Sequence, residues 1–322
     1  MYEKMFGFQR PPFANVPDPG FLYPSPQHQR ALSILQYALI ARAGFCVITG
    51  DVGAGKTTLV RSVLQNLDLS VHVGLVSNTQ CESFEELLRW ILLAFDLDYN
   101  GKDKVQMYDE FVQFLVQQFQ LGTPVTLIID EAQNLSIELL EQLRMLSNVN
   151  TEKGQILQTI LVGQPELWDL LRDPKMIQFA QRISYDYFLK PLENADTVQQ
   201  YVEHRVRTAG SDREVFDSGT FPLIAKATRG VPRLINSLCD SALVYAYGED
   251  SNTVSTAIIA RVIADKQASF APIDQPMAEH EPATTRTNTA EPYVVHSSSN
   301  SNKNRSMSTI EKAAERLRPK KA

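Results

Sequence analysis

Cysteine is scarce in this chain: Cys46, Cys81 and Cys239 are the only three in 322 residues, far apart and outside any Cys-x-x-Cys spacing. That excludes a disulfide framework and a zinc ribbon, and it fits a reducing compartment. Cys46 lies in an apolar run and Cys239 in a helical pattern, so both read as core packing. Long apolar runs are missing too. No window reaches the roughly 18 consecutive apolar residues of a membrane span, and nothing behind Lys4 and Arg10 resembles a secretory leader. The expectation is a cytoplasmic protein whose membrane attachment, if any, runs through a partner. Positive charge is not in excess: 31 Lys and Arg against 37 Asp and Glu leave a net −6. Coating nucleic acid by bulk charge is therefore excluded. No internal repeat is visible.

With 43% hydrophobic and 21% charged residues, the chain can bury a proper core. Its length suits about two domains at roughly 100–200 residues each. The charge is unevenly spread. Residues 272–322 hold eight Lys/Arg and six Asp/Glu, a net +2, so residues 1–271 carry −6 − 2 = −8.

Residues 1–26 mix Phe6, Phe8, Phe13, Phe21 and Tyr23 with six prolines. Proline at that density precludes a regular helix, and so many aromatics do not belong in a solvated tail. The segment is predicted to be a strap packed across the domain that follows. A helix over residues 27–43 opens residues 27–191, where short apolar runs alternate with helical stretches. Strand candidates are Phe45–Thr49, Val71–Val76, Val125–Ile129, Leu157–Val162 and Ser184–Leu189. Helices are predicted near Lys56–Leu67, Phe84–Phe95, Val105–Leu121 and Ile137–Val149. Strands apolar throughout, separated by helices, imply an α/β fold with a parallel sheet sandwiched by helices. Residues 192–270 lose the strand signal and read as a small all-helical lid domain, with Gly210 and Gly230 as breaks. Residues 271–305 shift to Pro, Thr, Ser, Asn and Glu, the composition of a disordered linker.

The strongest motif is the run Gly50, Asp51, Val52, Gly53, Ala54, Gly55, Lys56, Thr57, followed by Thr58. It is a complete G-x-x-x-x-G-K-[ST] phosphate loop between an apolar strand and a helix. Glycines let backbone N–H groups converge on phosphate oxygens, and the helix N-terminus favours the anion. In such a loop Lys56 bridges the β- and γ-phosphates of ATP, and Thr57 offers its hydroxyl to Mg²⁺. The second motif is the strand Val125–Ile129 ending in Asp130-Glu131. The carboxyl ends of parallel strands are where ligands bind. There Asp130 would hold Mg²⁺ through water, and Glu131 would polarise the attacking water.

With both motifs in place, the chain resembles the AAA+ ATPases, in particular the group containing general secretion pathway protein A. The segments Tyr2–Phe8, Pro17–Tyr23, Gly44–Gly50, Asp130–Leu135, Leu143–Asn148, Leu161–Leu167 and Gly230–Asn236 all carry the likeness. It covers about residues 1–268 and implies a P-loop sheet, a helical lid and a homo-oligomer, a hexameric ring by family expectation. It further implies that Gln164 is the sensor touching the γ-phosphate or the water. Arg182 takes the place of an arginine finger acting in trans, where a guanidinium neutralises the transferring phosphoryl group. Arg233, opening a helix after Gly230-Val-Pro, takes the place of a second sensor; a cation at a helix start is otherwise disfavoured. Asn78 is a candidate restraint on Glu131. Secretion members of this group carry a membrane span and a peptidoglycan-binding region after the ATPase. Neither is found here, which points to the soluble subgroup encoded with exosortase and exopolysaccharide loci.

Residues 306–322 place Ile310, Ala313, Ala314 and Leu317 on one helical face before a basic end. The segment resembles the N-terminal part of the tyrosine autokinases of exopolysaccharide export, which implies docking on the same export machinery. Two rival readings are a DNA-acting regulator of the transposition type and a scaffold that binds ATP without turnover. The mixed charges of residues 192–270 and the presence of Glu131 and Arg182 weigh against them.

Overall fold

The computed structural model describes residues 1–65, 71–77, 79–148, 150–151 and 154–269. Five parallel strands form its sheet: β1 (Phe45–Gly50), β2 (His72–Val76), β3 (Val125–Ile129), β4 (Leu157–Gly163) and β5 (Ile183–Leu189). Their spatial order is β5-β1-β4-β3-β2, so β4 is inserted between β1 and β3. The three central strands are buried along their whole length, as strands covered on both faces must be. The edge strand β5 departs from that pattern and exposes alternate residues, Ser184, Asp186 and Phe188.

Side-chain alternation splits the core in two. Phe45, Val47, Leu127, Ile129, Leu157 and Leu161 point to one face, where α3 (Phe84–Ala94), α4 (Lys104–Leu121) and α5 (Ile137–Leu146) cover them. Cys46, Ile48, Ile128, Ile160 and Val162 point to the other, against α1 (Pro26–Ala41) and α2 (Lys56–Gln65). Local chemistry fixes the helix ends. Ser83 caps α3, Asp103 and Gln106 form a reciprocal capping box at α4, and Gly122 ends α4 in the left-handed conformation. The described residues include α6 (Glu166–Leu171) after β4, and no helix among them is long and apolar enough to cross a membrane.

Beyond β5 lie α7 (Ala195–Thr208), α8 (Thr220–Thr228), α9 (Pro232–Gly248) and α10 (Thr256–Ser269). They share a third core, with Ile224, Ile235, Ala242, Leu243 and Ile259 fully buried. A tight junction ties this bundle to the sheet. Leu192 N donates to Gly230 O at 2.9 Å, and a Cβ on Gly230 (φ +71°) would sit 2.0 Å from Leu192 O. Only glycine fits there.

The N-terminal strap corrects the sequence reading in two respects. Its first turn, Glu3–Phe6, is helical, because the prolines begin only at Pro11. Its aromatics pack mainly on the helical bundle, while the stretch Pro17–Phe21 also touches the sheet domain that follows it, where Arg61 of α2 donates to Pro17 O at 3.0 Å. Tyr2, Phe6, Phe8, Phe13 and Phe21 join the same core as Val202, Phe216 and Leu243. The bundle offers aromatic partners: Phe13 meets Phe216 edge-on, and Tyr23 meets Tyr201 likewise. Arg205, buried on α7, clamps the strap by donating to the carbonyls of Pro12 and Ala14 while lying over the Phe21 ring. The predicted linker and the segment 306–322 lie outside the described residues.

Candidate nucleotide site

The phosphate loop connects β1 to α2. Gly53 and Gly55 have φ of +81° and +99°, a conformation open to glycine at little cost. Lys56 is buried and donates through Nζ to the carbonyls of Gly50 at 2.7 Å and Asp51 at 3.0 Å. Burial pulls its ammonium below the ordinary lysine range, against the opposing pull of Glu131, Asp130, Asp51 and Glu166.

Asp130 continues β3 by one residue, its N–H donating to Val76 O at 2.9 Å. Its Oδ2 accepts from Thr57 Oγ1 at 2.7 Å, joining the two motifs directly. Burial raises its carboxyl, and the bonds from Thr57 and from the Glu131 N–H work against that rise. The pair presents two hard oxygens side by side. Among the described residues no cluster of three or more His, Cys, Asp or Glu could hold a metal alone. This set fits Mg²⁺ in the way that ion is usually held, through one carboxylate, a hydroxyl, water and substrate phosphate.

Glu131 sits in the left-handed region at φ 54°, which swings its side chain off the line of β3. Its Oε2 accepts from Gln133 Nε2 at 2.7 Å and Gln164 Nε2 at 3.1 Å. Burial opposes its charge, but these two amides and Lys56 outweigh burial and hold the carboxyl below the usual glutamate range. Gln133 also accepts the Gln164 N–H through Oε1 at 2.9 Å, so one amide bridges both residues. Gln164 reaches this place because it follows β4, the strand between the loop-bearing β1 and the acidic end of β3.

Arg233 opens α9 against the loop. Its N–H donates to Gly53 O at 3.2 Å, and a Cβ on Gly53 would lie 2.5 Å from Arg233 Cβ. Loop, α9 and strap enclose a cleft of about 340 Å³ that also contains Glu131 and Gln164, large enough for a small-molecule ligand. Residues 52–58 line it, whereas Gly50 and Asp51 meet Lys56 from beneath. Arg182 is not brought to this cleft. It precedes Ile183, which pairs with Phe45 at the start of β1, while the loop follows Gly50 at the end. The two lie about 17 Å apart along the sheet, at roughly 3.3 Å per residue. Asn78 lies outside the described residues.

Sequence reading missed Gln133, which braces Glu131 and Gln164 from behind the cleft, and several residues that line it. Gln133 was visible within Asp130–Leu135 but carried no role of its own. The strap residues 14–18 and 21–23, with Tyr201, Arg205 and Asn236, form a wall of the cleft. Tyr201 OH donates to Asn236 Oδ1 at 2.8 Å, and Arg205 Nη1 donates to Tyr201 OH at 3.2 Å. His28, from α1, also lines the cleft and meets the Ala54 carbonyl of the loop at 3.2 Å. No local pattern announces such contacts: Arg205 holds Pro12 and Ala14 across 193 and 191 residues, and His28 holds Ala54 across 26.

Fold and paired motifs define a AAA+ P-loop nucleotide-binding protein, and a AAA domain family model matches residues 40–171. The chain is 37% identical over 255 residues to General secretion pathway protein A of Aeromonas hydrophila, covering 79% of this chain and 46% of that protein. In sequence it is thus similar to a AAA+ protein of the general secretion pathway protein A type, and it spans less than half of that relative's length. Among solved structures, the Aeropyrum pernix ORC2 protein matches with a TM-score of 0.62 at 18% identity, over 80% of this chain and 72% of that one. The Thermotoga maritima RuvB Holliday junction branch migration motor matches with a TM-score of 0.50 at 18% identity, over 75% and 69%. At such identity these likenesses show the fold.

Proposed function

We propose that this chain binds Mg²⁺–ATP in the cleft and hydrolyses it, using the cycle to drive or switch assembly of a surface export system. The observation that carries the reading is the contact of Thr57 with Asp130 beside a Glu131 oriented by Gln133 and Gln164. Every group needed for phosphoryl transfer to water is then present but one. Residues 52–58 aim backbone N–H groups and Lys56 at the phosphates. Mg²⁺, held by Thr57 and by Asp130 through water, would neutralise charge on the β- and γ-oxygens. Glu131, kept ionised, accepts a hydrogen bond from the attacking water and draws it into line. Gln164 keeps Glu131 in place and offers its amide to the γ-phosphate. Arg233 carries the position of the lid onto the loop.

The missing group is a cation for the transferring phosphoryl. Arg182, at the far end of β5, serves that purpose only from a neighbouring copy, which calls for a homo-oligomer, in a ring by family analogy. The relative's name supports secretion, and the exosortase and exopolysaccharide setting follows from the soluble subgroup that the sequence resembles. In this reading the protein is cytoplasmic and a partner recruits it to the inner face of a membrane. Residues 306–322 would dock there on the export machinery or an autokinase-like partner. Nucleic acid is not the proposed partner, since the ORC2 and RuvB likenesses stand at 18% identity.

The test is a nucleotide-binding and phosphate-release assay on the full chain. Lys56→Ala should lose binding, and Glu131→Gln should bind ATP but lose turnover. Undiminished turnover in Lys56→Ala refutes the site. Binding without turnover in the wild-type oligomer favours a scaffold, and stimulation by DNA favours the transposition-type reading.

A further inference from the structure

We infer that His28 is a positioning residue of the phosphate loop: it holds the Ala54 carbonyl down so that the Gly55 N–H faces the ligand. This deepens the ATP-binding reading and rests on it. His28 lies in the first turn of α1 and is 5% exposed. Its ring is held at both nitrogens, by Ser25 Oγ at 2.7 Å from Nδ1 and by Ala54 O at 3.2 Å from Nε2. A carbonyl oxygen can only accept, so Nε2 carries the proton and Nδ1 accepts from the Ser25 hydroxyl. Both nitrogens are satisfied by the neutral ring, and burial pulls its pKa down, so the ring stays neutral.

The consequence follows from peptide planarity. In a trans peptide the C=O of Ala54 and the N–H of Gly55 point in opposite directions, and every peptide bond among the described residues is trans. A carbonyl anchored on His28 therefore turns the Gly55 N–H away from the ring, the side that this reading gives to the phosphates. Gly55 itself sits at φ +99°, and a Cβ there would lie 3.2 Å from His28 Nε2. The ring thus packs where only glycine leaves room. Without the anchor, this peptide can flip in a stretch where glycine permits both signs of φ. A flip would aim a carbonyl oxygen at the phosphates in place of an N–H.

His28 also belongs to the junction that carries the strap. Ser25 caps α1 and lies two residues after Tyr23, which lines the same cleft. The loop is braced from the N-terminal side by this histidine, and from the lid side by the Arg233 N–H on Gly53 O.

The experiment compares ATP, ADP and AMP binding and steady-state turnover for wild type, His28→Ala, His28→Gln and His28→Leu. Glutamine keeps a terminal N–H donor at about the same reach, whereas leucine keeps bulk alone. The expected result is a five- to tenfold rise in Kd for ATP and ADP in His28→Ala and His28→Leu, the worth of about one hydrogen bond. KM should rise by a similar factor with kcat little changed, as for a contact made equally in ground and transition states. His28→Gln should recover most of the loss. AMP binding should not change among the variants, because AMP has no β-phosphate for the loop. If His28→Ala does not fold, the Gln and Leu pair decides by itself. Equal ATP affinity in His28→Leu and wild type, or equal losses in Gln and Leu, overturns the assignment of His28. Failure of the wild type to bind ATP overturns the nucleotide reading on which it rests.

Discussion

Replacing Gln133 by alanine should uncouple the acidic strand end from Gln164. The side chain makes two bonds, 2.7 Å to Glu131 Oε2 and 2.9 Å from the Gln164 N–H. A hydrogen bond to a charged group contributes about 1.5–3 kcal/mol. Glu131 is half-buried, so the lower end applies, and Gln133→Ala should cost about 1.5–2 kcal/mol at neutral pH. For a folded unit of this size that is a fall in Tm of roughly 3–8 °C. The pH dependence separates this cause from simple loss of packing. Glu131 is held below its ordinary value of 4.5, so its ionised form stabilises the fold above that pH. This stabilisation is lost as pH falls through the depressed folded value. Gln133→Ala removes the larger of the two amide contributions, so the variant has less to lose. Calorimetry at pH 7 and at pH 4 or below should show the gap between wild type and variant narrowing with acid. The same substitution should move the acid limb of ATP turnover to higher pH, since burial of Glu131 is then less well opposed. An unchanged Tm at pH 7, or a gap that stays constant into acid, would refute the reasoning.

Gly230→Ala should destabilise the junction of sheet and bundle by about 2–4 kcal/mol, from left-handed strain and a Cβ pressed on the Leu192 carbonyl; thermal unfolding checks it. Arg182→Ala should leave ATP affinity of the chain within twofold but abolish turnover. Mixing it with Glu131→Gln should restore a fraction of activity, because each variant can supply what its neighbour lacks; no recovery in proven mixed oligomers counts against action in trans. Arg205→Ala should release the strap from the carbonyls of Pro12 and Ala14. Cleavage by chymotrypsin after Phe13, buried between those two carbonyls, should then speed up at least tenfold, as the loss of about 1.5 kcal/mol in local opening free energy requires.

The residues that could be read from sequence are those whose chemistry is local. A phosphate loop occupies eight consecutive positions, and Asp130-Glu131 ends a five-residue apolar strand, so both are visible without knowledge of the fold. The alternation of apolar runs and helical stretches likewise reported the sheet, since β1, β3 and β4 are buried on both faces. The strap was half legible. Its aromatics revealed that it must be buried, but which surface buries them depends on Phe216 and Tyr201, some 200 residues along the chain. Gln133 and His28 were hidden for a related reason. Glutamine near a turn and histidine in a helix are ordinary residues, and their importance comes from which carboxylate or carbonyl the fold sets beside them. Arg182 is the converse case: the family likeness pointed to it, and the strand register sets it at the end of β1 away from the loop of its own chain.

The insertion of β4 between β1 and β3 sets the gauge of the site. Two strand spacings, about 9.6 Å, separate the end of the loop-bearing strand from the end of the acidic one. That span is fixed by main-chain ladders that any sufficiently apolar sequence can build. The interior is therefore free to drift in composition while the distance between cation and carboxylates is preserved. A chain sharing only 18% of its residues with ORC2 can still superpose on it over four-fifths of its length. What distinguishes one such protein from another is then concentrated in a handful of polar side chains at the strand tips, and in the segments laid over them.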